Sequence, residues 1–185
     1  MIEKNSYDIS IFEEILSENF IKECVNNADA STYSIQHDWI NKLDNPHFND
    51  IINTAEEKNF MKFDKKLVDT LLSKVKEVVG HDSVETSGHF FYPPTGYMSW
   101  HTNYTNPCPR IYITYASEDK KSFFRYRDRK TKEIITDYDN KGITIRRFFI
   151  PPAKNGYFWH CVGSMCDRIS FGFRINPENE FNKYV

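Results

Sequence analysis

The second half of the chain is a succession of short aromatic and β-branched runs, each bounded by Pro, Gly, Asn or Asp: "GHFFYPP", "RIYITYA", "SFFRYRD", "ITIRRFFI", "GYFWHCV" and "RISFGFRI". Runs this short and this often interrupted leave no room for helices. They predict antiparallel strands in a sandwich or jelly roll. The aromatic share of 16%, with 15 Phe and 11 Tyr, suits the half-buried faces of such a sheet.

The first half has a different texture. Ser10 and Glu13 form a capping box that should open a helix. Phe12, Ile15, Leu16, Phe20 and Val25 give it one apolar face, and Asn26-Asn27 should end it. A second helix is expected in "FDKKLVDTLLSKVKEVVG", with Leu67, Leu71, Val75 and Val78 on one face and Gly80 as its stop. Between them, residues 30–54 offer Trp39, Ile40 and Leu43 as anchors but no clean period. The expected class is therefore α+β. Residues 1–82 are a helical support region and residues 83–185 a jelly-roll core, together one domain.

At 185 residues the chain can bury a substantial core, and its 39% hydrophobic and 27% charged residues suit a soluble globular protein. A formal net charge of −2 provides no global field for nucleic acid or an anionic membrane. No run of eighteen apolar residues is present, and "MIEKNSYDIS" lacks the pattern of a signal peptide. A cytoplasmic location is expected. Cys24, Cys108, Cys161 and Cys166 do not have zinc-ligand spacing and are expected as reduced, buried thiols.

Three stretches bear on chemistry. His101 lies in "SWHTN", and His160 ends "NGYFWH" after the turn signal Asn155-Gly156. In "RISFGFRI", Ile169, Phe171, Phe173 and Ile175 share one parity, so one strand face packs on a core layer. The other face carries Arg168, Ser170, Gly172 and Arg174. Two guanidiniums, a hydroxyl and a gap on a concave face suit a bound carboxylate, which Arg engages bidentately.

The order His101-x-Asn103, then His160, then Arg168-Ile169-Ser170 resembles the iron(II)/2-oxoglutarate-dependent dioxygenase superfamily, of the prolyl-hydroxylase-like kind. The resemblance covers roughly residues 83–176. It implies a double-stranded β-helix, a distorted jelly roll, flanked by N-terminal helices. It implies Fe(II) held by His101, His160 and position 103, with 2-oxoglutarate anchored by Arg168, Ser170 and Tyr112. Tyr115 is an alternative to Tyr112, and Arg174 to Arg168. Its reaction consumes O2 and 2-oxoglutarate and hydroxylates a substrate, by analogy a peptidyl side chain.

This sequence departs from the pattern at position 103, where Asn replaces the ligating Asp. The amide keeps one oxygen but loses the charge that Fe(II) favours. Asn103 is then a weak ligand or a lining residue, or Asp128, Asp137 or Asp139 completes the site, or the fold survives as a binding module. "DRKTKEIITDYDNKG", which holds those three acids, reads as a surface hairpin and loop.

Trp100, Phe91, Phe124, Phe148 and Trp159 are candidates for a dry shell or for plain core. Arg125, Arg127, Arg129, Arg146 and Arg147 are candidates for a basic rim or for a solvated strand face. Peptide or small molecule is favoured over nucleic acid, and no membrane partner is expected. Two other classes stay open: a non-catalytic jelly-roll binding or structural protein, and a cupin-like metalloprotein that uses no 2-oxoglutarate.

Overall fold

Alternation along the strands divides this molecule into layers. The computed structural model describes residues 2–48 and 50–176. Eight strands come from the second half: β4 (Val84–Tyr92), β5 (Tyr97–His101), β6 (Cys108–Ala116), β7 (Ser122–Arg127), β8 (Ile134–Tyr138), β9 (Gly142–Ile150), β10 (His160–Ser164) and β11 (Arg168–Ile175). Three two-residue strands precede them: β1 (Glu3–Lys4), β2 (Lys58–Asn59) and β3 (Met61–Lys62). The first 82 residues are therefore not purely helical, because they also supply edge strands to both sheets. One sheet has the order β1-β9-β6-β11-β4-β3 and the other β2-β5-β10-β7-β8. Every strand pairing within them is antiparallel.

The two faces of β11 go to different layers. Ile169, Phe171, Phe173 and Ile175 are buried in a cluster with Phe12, Leu16, Ile21, Val68, Leu71 and Val75. That cluster covers the outer face of the six-stranded sheet. On the five-stranded sheet, Trp100, Phe123, Trp159 and Cys161 form a second cluster with Trp39 and Leu43 of α3 (Trp39–Asp44). Gly163 allows the close approach there. A Cβ at that position would lie 2.5 Å from Phe123 Cζ and 2.6 Å from Trp39 Cζ3. Between the sheets lies a third cluster, with Tyr92 and Phe148 from one sheet and Phe124 and Val162 from the other.

The expected first helix is broken in two, α1 (Ser10–Glu13) and α2 (Glu18–Asn26). Ser17 is the reason. Its hydroxyl accepts from the Phe20 amide at 3.4 Å and caps α2. The Ser10–Glu13 capping box does not form, since the Ser10 amide and hydroxyl both donate to Asp8 at 3.0 and 2.8 Å. Helix α4 (Lys66–Val79) ends at Gly80, whose φ of 68° is the left-handed conformation glycine adopts freely. Its buried face is Val68, Leu71 and Val75, with Leu67 and Val78 at the margins. All four cysteines are free and buried. No described helix is long and apolar enough to cross a membrane.

The acids of "DRKTKEIITDYDNKG" do not all lie at the surface, as the sequence suggests. Asp128 does stay in a turn, accepting from the Lys130 and Thr131 amides. Asp139, however, is fully buried between two fully buried arginines. Arg146 Nη1 donates to its Oδ1 at 2.5 Å and Arg168 Nε to its Oδ2 at 2.9 Å. Ser122 Oγ also donates to Oδ2, at 2.5 Å. Arg146 Nε reaches Asp137 at 2.6 Å, and Arg168 Nη2 reaches Thr114 Oγ1 at 3.2 Å. The cluster ties β6, β9 and β11 of one sheet to β7 and the end of β8 in the other.

Burial alone would push the Asp139 carboxyl up, but the Arg168 and Arg146 guanidiniums outweigh it and hold it well below the usual range. A carboxyl held down in the folded state stabilises fully above its unfolded value of about 3.8, and the contribution is lost as pH falls below that. Asp139→Ala would leave two buried cations uncompensated. It should cost about 3–5 kcal/mol in urea unfolding at pH 7, and the gap to the parent should narrow in melts below pH 4.

Candidate functional site

Two histidines meet because β5 and β10 are antiparallel neighbours in which His101 lies opposite His160. A bulge follows His160, and the two rings sit with centroids 4.1 Å apart. Each ring is fixed through Nδ1: His101 to the Ser99 carbonyl at 2.8 Å, His160 to the Phe158 carbonyl at 3.0 Å. A carbonyl can only accept, so each neutral ring carries its proton on Nδ1 and keeps its lone pair on Nε2. Burial holds the His101 ring down to about 4, and burial with the neighbouring His101 takes His160 well below the ordinary value. Both are thus neutral at physiological pH. Two neutral imidazoles oriented by second hydrogen bonds could hold a divalent transition metal.

Asn103 stands beside His160. Its Nδ2 lies 3.2 Å from His160 Nε2. Its backbone is left-handed, with φ at 53°, a conformation Asn tolerates better than most residues. The segment before β2 secures this turn. The Asn103 amide donates to Asn53 O at 2.7 Å, and the Thr102 amide to Ile52 O at 2.9 Å. Asn53 Oδ1 accepts from the Thr105 amide and hydroxyl, both at 3.1 Å. The absence of a clean period over residues 30–54 hid this role. Among the described residues no group of three His, Cys, Asp or Glu side chains gathers as a metal site. The cluster here is two imidazoles and an amide.

A cavity of about 250 Å³ opens beside the histidines, and Asn103, Arg110, Tyr112 and Ser170 line it. Gly172 lets the lining close in around it, since a Cβ there would lie 2.8 Å from Ser87 Oγ and 3.2 Å from Tyr112 Cε1. Tyr112 lies opposite Gly172 in the β6–β11 register, while Tyr115 faces the outer cluster under the helices. Phe124 and Phe158 stack near the His160 ring, each at 5.4 Å, and Phe148 lies 6.1 Å from it. Trp100, Trp159 and Phe91 belong to the outer clusters.

Arg168 does not line the cavity. Its Nε donates to Asp139 and its Nη2 to Thr114, its guanidinium lies over the Tyr92 ring, 5.1 Å from the centroid, and its buried Nη1 has no partner. The cavity's buried guanidinium is Arg110, which is 5% exposed. Its Nη2 donates to Asn106 O at 3.2 Å and its Nε has no partner. Parity could have found it, since Arg110 shares a strand face with Tyr112. Arg174, the alternative anchor, lies opposite Arg110 but is paired to Glu85 at 2.8 Å.

Nor do the other arginines gather into one rim. Arg125 holds Asp44, Arg127 covers Phe48, Arg129 reaches Asn155 O, and Arg146 is buried. Arg147 lies opposite Glu3 in the β1–β9 pair.

No family model matches the sequence, and no curated protein matches it. Among solved structures, the chain is similar to a prolyl-4-hydroxylase from Pseudomonas putida, with a TM-score of 0.54 and 10% identity, over 95% of this chain and 91% of that one. It is also similar to a prolyl hydroxylase from Trichoplax adhaerens in complex with a hypoxia inducible factor oxygen degradation domain peptide fragment. There the TM-score is 0.53 and the identity 12%, over 100% of this chain and 86% of that one. At these identities the likeness is one of fold.

Titration with Co(II), followed by its visible absorption, should give one site in the parent chain and none in His160→Ala. Asn103→Asp adds a charged oxygen beside the two lone pairs and should tighten the metal about tenfold or more. Unchanged affinity would place position 103 outside the ligand set.

Proposed function

We propose that this chain is an Fe(II)- and 2-oxoglutarate-dependent oxygenase built on a double-stranded β-helix. Residues 1–82 would support a core of residues 83–185 in one domain, with residues 177–185 lying outside the described residues. The observation that carries the reading is the pair of Nε2 lone pairs, each fixed by a backbone carbonyl, beside a cavity whose buried Arg110 has an unpartnered Nε. The fold likeness to two prolyl hydroxylases supports it.

His101 and His160 would hold the metal, with Asn103 turned to offer its oxygen. When bound, the iron and 2-oxoglutarate would supply the oxidising chemistry, with loss of carbon dioxide, formation of succinate and transfer of oxygen from O2 to the substrate. Arg110 would take the distal carboxylate of 2-oxoglutarate, and the hydroxyls of Tyr112 and Ser170 lie in the same cavity. Its orphaned donor is costly to bury unless an anion accepts from it. Arg168 would act as a structural cation, since Asp139 already neutralises it. Phe124, Phe148 and Phe158 would keep water from the inner side of the His160 ring. A hydroxylated peptidyl side chain is the product class suggested by the Trichoplax neighbour's complex.

One observation favours a second reading, a metalloprotein of the same shape that binds no 2-oxoglutarate: the arginine of the "DRIS" motif is occupied by Asp139. Anaerobic Fe(II) with 2-oxoglutarate separates the two. The chelate should give a visible charge-transfer absorption, and its absence in metal-loaded protein would leave the second reading. Arg110→Met should weaken 2-oxoglutarate about tenfold to a hundredfold and leave Co(II) binding unchanged. Arg168→Met should lower the melting temperature without that selective loss.

A further inference from the structure

The cavity beside the histidines has a second charged zone, at its mouth. Residues 58–62 cross from one sheet to the other, with Lys58 opposite Met98 in the five-stranded sheet and Lys62 opposite Phe90 in the six-stranded one. Phe60, between them, is buried against Phe90 and Tyr92, with ring centroids 4.2 and 5.5 Å away. It anchors the crossing while both lysines stay exposed and line the cavity. With Arg110 and Arg174 they put four cations around a space whose described lining holds no Asp or Glu. This is a marked segregation in a chain with 26 acidic and 24 basic residues.

Asp29, bridged opposite Lys62, accepts from the Ser31 amide at 2.9 Å, and the other nearby carboxylates are also engaged. Glu57 lies 3.4 Å from Lys42 Nζ, and Glu85 accepts from Arg174 Nε and Nη2 at 3.0 and 2.8 Å. Lys58 and Lys62 make no ion pair among the described residues.

One distal carboxylate of 2-oxoglutarate would employ Arg110 and leave the two lysines unused. A cavity of about 250 Å³ holding that co-substrate has room for little more than one further side chain, being at the small end of ligand pockets. The remainder of any substrate must then lie outside, across the exposed lysines. We propose that the site takes an acidic peptide segment as its primary substrate, with one side chain in the cavity and flanking Asp or Glu carboxylates on Lys58 and Lys62. The word substrate rests on the oxygenase reading; the binding does not. Nucleic acid is the poorer match, because two exposed rim cations on a chain of net charge −2 cannot follow a run of phosphates.

The test uses the full chain at low salt and fluorescein-labelled hexaglutamate, hexaglutamine and hexathymidylate, read by anisotropy. Hexaglutamate should bind about tenfold or more tightly than hexaglutamine. A Lys58→Glu, Lys62→Glu double variant should lose that preference, as should its Lys58→Gln, Lys62→Gln counterpart. Lys121→Glu, Lys130→Glu, which alters exposed lysines away from the mouth, should keep it. Equal losses in both sets, no preference for hexaglutamate, or tighter hexathymidylate binding through the same lysines would overturn the proposal. Parallel Co(II) and 2-oxoglutarate titrations keep the two ideas apart. Hexaglutamate preference without 2-oxoglutarate binding upholds the acidic-peptide site and removes the oxygenase reading. 2-Oxoglutarate binding without that preference removes the acidic-peptide site alone.

Discussion

Asp139 is the carboxylate on which the interior arrangement depends. Two guanidiniums from one sheet and a hydroxyl from the other converge on it, all out of contact with water. Removing such charges from solvent is costly, and only near-complete pairing offsets it. The cluster fixes β9 and β11 against β7 at one end of the space between the sheets. It thereby divides that space into an ion-paired end, an aromatic middle of Tyr92, Phe124, Phe148 and Phe158, and an open end with the histidines. Arg168 and Arg110, both on inward-facing positions, fall on opposite sides of this division.

The open end is organised by backbone groups more than by side chains. Carbonyls of Ser99 and Phe158 choose the tautomer of each imidazole, and carbonyls of Ile52 and Asn53 hold the turn that carries Asn103. Rings fixed in this way have little freedom left to lose when a ligand arrives.

Much of this was legible in the sequence, and the failures have physical causes. The parity of "RISFGFRI" separates the face under the helices from the face between the sheets, because a strand has a strict period of two. The two histidines could be singled out from the run that ends at His160 and the turn after "SWH". Partner choice was not legible. Arg168 looks free for a ligand until Asp139, 29 residues earlier, is brought to it by the fold. Asp139 in turn looks like a loop acid, because composition shows nothing of the β7–β9 packing around it. The broken first helix is a local matter: Ser17 competes for the helix backbone, and a strong apolar period on both sides masks one capping hydroxyl. Arg110 belongs to no motif, and only its shared parity with Tyr112 on β6 marks it.

The crossing at residues 58–62 also sets a length. The last paired residues on either side, Asn59 and Met61, are two positions apart, a reach of about 7 Å at full stretch. With Lys58 and Lys62 each hydrogen-bonded into a different sheet and Phe60 inserted between them, the crossing has little slack. It works as a covalent gauge at that edge of the sandwich, so the mouth cannot widen by parting the sheets there. Whatever enters must present a narrow end first.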